Sequence, residues 1–246
     1  MIELRSVFKQ YGSFEAVKGI SLTAHPGKIY GFLGPNGAGK TSTIRMITGI
    51  QPPSSGQILL DGIDVTLEPM HCRRITGYVP DRPYVYERLK AWEFLQFMAE
   101  LYRIHNPETM QRAEELLALF RLDDARHRLI EDFSHGMKQK LVIVASLLHD
   151  PKILVIDEPM VGLDPKGAAT LKELFRKLAQ EGRTIFLSTH TMSVAEELCH
   201  TISIIHKGVI AATGSMKELK SQGNSDDGLE EIFLKITEEE AEQNAP

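Results

Sequence analysis

Apolar positions fall into short runs between turn residues over the first 80 residues, and into helix-spaced groups over much of the next 60. Runs at residues 2–7, 20–24, 29–33, 57–60 and 75–79 have strand length and composition. Pro52-Pro53-Ser54-Ser55-Gly56 breaks the pattern among them. From about Trp92 to Leu148 the period becomes helical: Ala91, Phe94, Leu95, Met98, Leu101 and Tyr102 recur at i, i+3, i+4 and i+7 spacing. Leu116, Leu117, Leu119 and Phe120 make a second apolar patch between charged residues. The unbroken run Ile153-Leu154-Val155-Ile156 reads as a strand buried on both faces. A helix with Leu171, Leu174, Phe175 and Leu178 on one side follows, then a strand at 184–188, a helix at 194–200 and hairpin-like strands around Lys207-Gly208. Near the end, Leu229, Ile232, Phe233 and Ile236 are spaced to pack a short helix onto the body. The pattern predicts an α/β core over 1–84 and 150–220, a helical lobe over 85–149, and a short helix with an acidic tail over 221–246.

Composition narrows the class. At 42% apolar and 25% charged, the 246 residues suit a soluble globular protein. No apolar run approaches the roughly 20 residues needed to cross a bilayer. The first ten residues do not read as a signal peptide, so the chain is expected to stay on the side where it is made. Cys72 and Cys199 lack metal-ligand spacing and are expected to be reduced packing residues. The net charge of −5 is uneven: residues 226–246 hold eight acids against Lys235, while the remainder carries 27 bases and 25 acids. Such a body offers no broad basic face, which speaks against a nucleic-acid partner.

The most informative chemistry is Gly34-Pro35-Asn36-Gly37-Ala38-Gly39-Lys40-Thr41. It follows an apolar run and opens a helical stretch, the context a P-loop phosphate cradle needs. Its glycines let backbone N–H groups turn inward around phosphate oxygens. Lys40 is placed to reach the β and γ phosphates, the Thr41 hydroxyl to hold Mg²⁺, and the helix start adds a positive dipole end. Asp157 and Glu158 close the buried strand at its C-terminal end, where open α/β sheets place ligands. Aspartate there suits Mg²⁺ coordination and the next carboxylate can polarise an attacking water. Taken alone, that pair fits a surface turn equally well; it gains weight downstream of a P-loop. His190, two residues beyond its strand, could bond a γ-phosphate, though an isolated histidine is more often a core or loop residue. Ser134 before the helix at 137–148 reads on physical grounds as a simple N-cap, although the same geometry makes an anion site.

Together these residues resemble the ATP-binding subunit of an ABC transporter, over nearly the whole chain. Residues 34–41 match Walker A, with Ser42 at the next hydroxyl position, and residues 153–157 match Walker B. Tyr11 matches the aromatic that stacks on adenine, Phe133-Ser134-His135-Gly136-Met137 the signature, Gly162-Leu163-Asp164 the D-loop, and His190 the switch histidine. The resemblance implies a P-loop NTPase core with a mixed sheet, N-terminal antiparallel strands and an inserted helical lobe. It implies that Glu158 and His190 are catalytic, that Thr41 and Asp157 hold Mg²⁺, and that Ser134, Gly136 and Asp164 meet ATP from the opposing subunit. Two positions depart from the family pattern. His135 and Met137 replace glycine and glutamine in the signature, and Asp81 stands where the Q-loop has glutamine. Asp81 suits either a water-bridged metal contact or a cap on the following turn.

The same resemblance implies a pair of subunits, identical or homologous, closing head to tail around two Mg-ATP. It also implies a separate integral membrane permease docking on residues 84–128, which places the chain in the cytoplasm at the inner face of the membrane. The surroundings of Asp81 and Ser134 resemble subunits that serve ABC-2-type export permeases. Two other readings stay open: a soluble ATPase of the same type acting on a macromolecular complex, and a non-hydrolysing regulatory subunit.

Overall fold

A computed structural model describes residues 1–104, 106–222, 229 and 233. Two sheets form its frame. The first is antiparallel, in the order β2-β1-β4-β5, from β1 (Ile2–Tyr11), β2 (Phe14–Ala24), β4 (Ser55–Leu60) and β5 (Ile63–Asp64). The second has six strands in the order β10-β9-β3-β8-β7-β6, built from β3 (Ile29–Leu33), β6 (Thr76–Val79), β7 (Ile153–Asp157), β8 (Thr184–Thr189), β9 (Thr201–His206) and β10 (Val209–Gly214). All its pairings are parallel except that of β10 with β9. The expected α/β class with a mixed sheet and N-terminal antiparallel strands is what the molecule shows.

Central strands carry apolar side chains on both faces, and each face has its own cover. From β7, Leu154 and Ile156 point into a core shared with Leu141, Leu171 and Phe175, whereas Ile153 and Val155 join Tyr30, Phe32, Phe186 and the underside of the antiparallel sheet. Helices supply the first cover: α5 (His135–Leu147) and α6 (Pro165–Gln180) lie in that core with α3 (Ala91–Tyr102) and α4 (Pro107–Leu119). Burying one such Leu, Ile or Phe side chain contributes about 1.5–3 kcal/mol, so the double cover fixes the central strands firmly. Helix α1 (Lys40–Ile47) sits in the second core through Ile44, Met46 and Ile47.

Several boundaries differ from the sequence reading. β1 continues to Tyr11 rather than stopping at Val7, because bulges after Leu4 and Val7 break the alternation that marks a strand. Within the first 80 residues, α2 (Pro69–Arg74) was not expected; its one buried side chain, Cys72, leaves no apolar period to read. The helix read as 194–200 is α7, Met192–Leu198. After α8 (Met216–Gln222), Leu229 is buried and Phe233 packs beside it on a small cluster with Ala195, Ile204 and Leu219. Ile232, Ile236 and the acidic tail lie outside the described residues.

Candidate active site

The loop between β3 and α1 can be followed residue by residue. A Cβ on Gly34 would lie 2.4 Å from the Ile205 carbonyl oxygen, so only glycine fits there. Gly39 has φ 111°, and a Cβ on it would lie 2.6 Å from the carbonyl of Ala16. Ala38 donates to the Pro35 carbonyl at 3.2 Å and accepts from Gly208 N at 3.0 Å, which closes the loop. Lys40, 6% exposed, turns back over this loop and donates to the carbonyls of Gly34 at 2.7 Å and Pro35 at 3.2 Å. Burial pulls the Lys40 ammonium down from its ordinary pKa, against the opposing pull of Glu158 and Asp157. A cradle that a Cβ would fill, with a buried lysine folded above it, fits a polyphosphate.

Asp157 ends β7 at 2% exposure. Its carboxylate accepts from Thr41 Oγ1 at 3.1 Å and from Ser188 Oγ. Burial raises its pKa, more than those two hydroxyls lower it. A buried carboxylate held at this cost, beside a threonine hydroxyl, is suited to a divalent cation. Among the described residues, no group of three or more His, Cys, Asp or Glu could hold a metal by itself, so phosphate and water would have to complete any coordination. Asp81 also lines the cleft, but its carboxylate accepts from the adjoining Arg82 N at 2.9 Å.

Glu158 follows in the left-handed region, φ 51°, its N–H bonded to the Ser188 carbonyl at 3.1 Å. One carboxylate oxygen shares a 2.8 Å hydrogen bond with His190 Nδ1 and lies 4.0 Å from Lys40 Nζ; the other accepts from Thr189 Oγ1 at 3.3 Å. His190 comes directly after β8, one residue closer to its strand than expected. Ser188 and Thr189 were not singled out from the sequence, and only their place at the end of the strand paired with β7 signals them.

A cleft of about 310 Å³ gathers Asn36, Gly37, Gly39, Lys40, Thr41, Ser42, Asp81, Asp157 and Glu158, with Tyr11, Phe14 and Ala16 at one side. Tyr11 is the last residue of β1 and 41% exposed. Ser134, Gly136 and Asp164 are not brought into this cleft. Ser134 caps α5, accepting from Met137 N at 3.3 Å. The start of α5 packs against the loop before α6: Gly136 approaches the Gly162 carbonyl, and a Cβ on Gly162 would fall 2.2 Å from the His135 ring. Lys140 and Asp164 close that contact with a 2.9 Å ion pair.

Comparison with known proteins gives the same picture. A family model described as ABC transporter matches residues 17–161. An uncharacterised ABC transporter ATP-binding protein of Nostoc sp. is 39% identical over 85% of this chain, which spans 63% of that relative's length. The ABC-type transporter ATP-binding protein EcsA of Bacillus subtilis is 34% identical over 98% of both chains. A solved ATP-binding subunit of an ABC transporter superposes with TM-score 0.92 at 32% identity, covering 96% of this chain and 99% of that one. A dimeric ATP-binding cassette in a post-hydrolysis state, bound to ADP and Pi, does so with TM-score 0.79 at 25% identity, covering 87% and 98%.

Proposed function

This chain belongs to the ABC transporter ATP-binding family, and we propose that it hydrolyses Mg-ATP while paired with a second copy or a homologous subunit, driving a separate export permease. What supports this reading is that the residues read as phosphate contacts fall in two separate places. Lys40, Thr41, Asp157 and Glu158 line a cleft, whereas the capped end of α5 at Ser134 and Gly136, an anion-binding helix start, stands outside it. Each part is incomplete alone, and a polyanion between two copies completes both.

Within that sandwich Tyr11 stacks on adenine and the backbone of residues 34–39 lines the phosphates, with Ser42 beside them. Thr41 and Asp157, with Asp81 through a water, would hold Mg²⁺, which would supply positive charge to the β and γ phosphates. Glu158 orients a water and takes its proton as the water oxygen bonds to the γ-phosphorus. The bond to the bridging oxygen breaks, leaving ADP and phosphate. His190 fixes the Glu158 carboxylate by their shared hydrogen bond and, with Lys40, faces the charge growing on the γ-phosphoryl oxygens. Within each subunit Asp164 ties the loop before α6 to α5 through Lys140. Loss of the γ-phosphate removes the bridge, so the pair reopens.

No helix among the described residues is long and apolar enough to cross a membrane, and this reading assigns the crossing to a separate permease. Residues 84–128 are the surface this reading gives the permease: Tyr84 is 77%, Tyr86 59% and Leu101 61% exposed there. Docking there places the chain at the cytoplasmic face of the membrane. The export direction rests on the resemblance to subunits of ABC-2-type permeases. Affinity capture from detergent-solubilised membranes tests the partner. A polytopic membrane protein at about equal copy number is expected. Recovery only with ribosomes or DNA-bound proteins would instead favour a soluble ATPase.

A further inference from the structure

Stacking on a base uses the face of the Tyr11 ring and has no need of its hydroxyl. Here that hydroxyl donates a 2.5 Å hydrogen bond to Gln51 Oε1. Gln51 is itself fastened to the P-loop helix: the N–H groups of Ile50 and Gln51 both donate to the Arg45 carbonyl, at 2.9 and 3.1 Å. A second tether comes from Lys9, whose Nζ stands 5.2 Å from the Tyr11 ring centroid while donating to the Pro52 carbonyl at 2.7 Å. A cation over one face of the ring leaves the other for a base.

These contacts run between the end of β1 and the P-loop helix, two elements that also share a core. Tyr11 ends β1 in the antiparallel sheet, whereas Lys40 and Thr41 begin α1 after β3 of the six-stranded sheet. The Tyr11–Gln51 bond links the base platform to the end of the helix whose other end carries the phosphate contacts. A half-exposed ring without such a link would be ordered only on binding, at a cost to affinity. We propose that Gln51 is a positioning residue for the nucleotide base, holding the Tyr11 ring at a set place relative to the phosphate cradle. This rests on the reading of Tyr11 as the base-stacking residue.

Competition against a fluorescent ATP analogue, with ATP and with inorganic tripolyphosphate, tests it on the whole chain. Gln51→Ala is expected to weaken ATP about 3- to 10-fold, the scale of one net hydrogen bond, and to leave tripolyphosphate and the melting temperature unchanged. Tyr11→Phe should show the same loss, and the double variant no more than either single one. Additive losses, an equal loss for tripolyphosphate, or no loss in Gln51→Ala while Tyr11→Ala weakens ATP about 10-fold or more, would overturn the role of Gln51 alone. If Tyr11→Ala binds ATP like the wild type, the base-stacking reading falls, and this inference with it.

Discussion

Glu158 occupies a backbone conformation, φ 51°, that costs a residue with a Cβ on the order of 1 kcal/mol or more. Its N–H donates to the Ser188 carbonyl and its carboxylate bonds Thr189 and His190, which holds it there 4.0 Å from Lys40 at the mouth of the cradle. Glutamine in its place would keep the shape and lose the basic oxygen. Glu158→Gln is therefore expected to lower ATP turnover about 10²- to 10⁴-fold with ATP binding retained. Turnover within threefold of the wild type would refute the assignment. Lys40, Thr41, Asp157 and Glu158 were legible because their spacing along the chain is itself the motif. Ser188 and Thr189 were not: each meets its carboxylate 31 residues away, through strand pairing that no local pattern records.

Among the elements, the junction after α5 has the clearest consequence for stability. The His149 ring stacks on Tyr102 of α3, with centroids 3.8 Å apart, and its Nε2 lies 3.1 Å from the Thr76 carbonyl at the start of β6. The carbonyl can only accept, so Nε2 carries a proton. Burial pushes its pKa down from 6.5 to about 4. A histidine depressed in the folded state gives stability that is whole above pH 6.5 and is lost as pH falls toward about 4. Urea unfolding of the wild type should therefore weaken between pH 6.5 and 4.5 by about 1–3 kcal/mol more than that of His149→Gln. Parallel pH dependences would show that His149 does not carry the effect. At this scale the sequence revealed the strands with continuous apolar runs and the helices with a clear period. It hid α2, which is too short to show a period, and the far half of β1, where bulges interrupt the alternation.

At the scale of the whole molecule, the site is asymmetric by construction. The cleft collects the cation, the carboxylates and the aromatic; the start of α5, braced on the loop before α6 through His135, Gly162 and the Lys140–Asp164 pair, stands apart. The order of motifs in the chain made both parts recognisable, and the solved relative bound to ADP and Pi is itself dimeric. The effect of His135 and Asp81 was not legible, because it depends on what those side chains touch: one packs on Gly162 and the other accepts from the neighbouring Arg82 N–H. Pairing around nucleotide is the central claim, and sedimentation of the Glu158→Gln chain tests it most directly. With Mg-ATP the chain is expected to sediment as a dimer, and with ADP or no nucleotide as a monomer. A monomer at saturating Mg-ATP, or a dimer indifferent to nucleotide, would contradict the account.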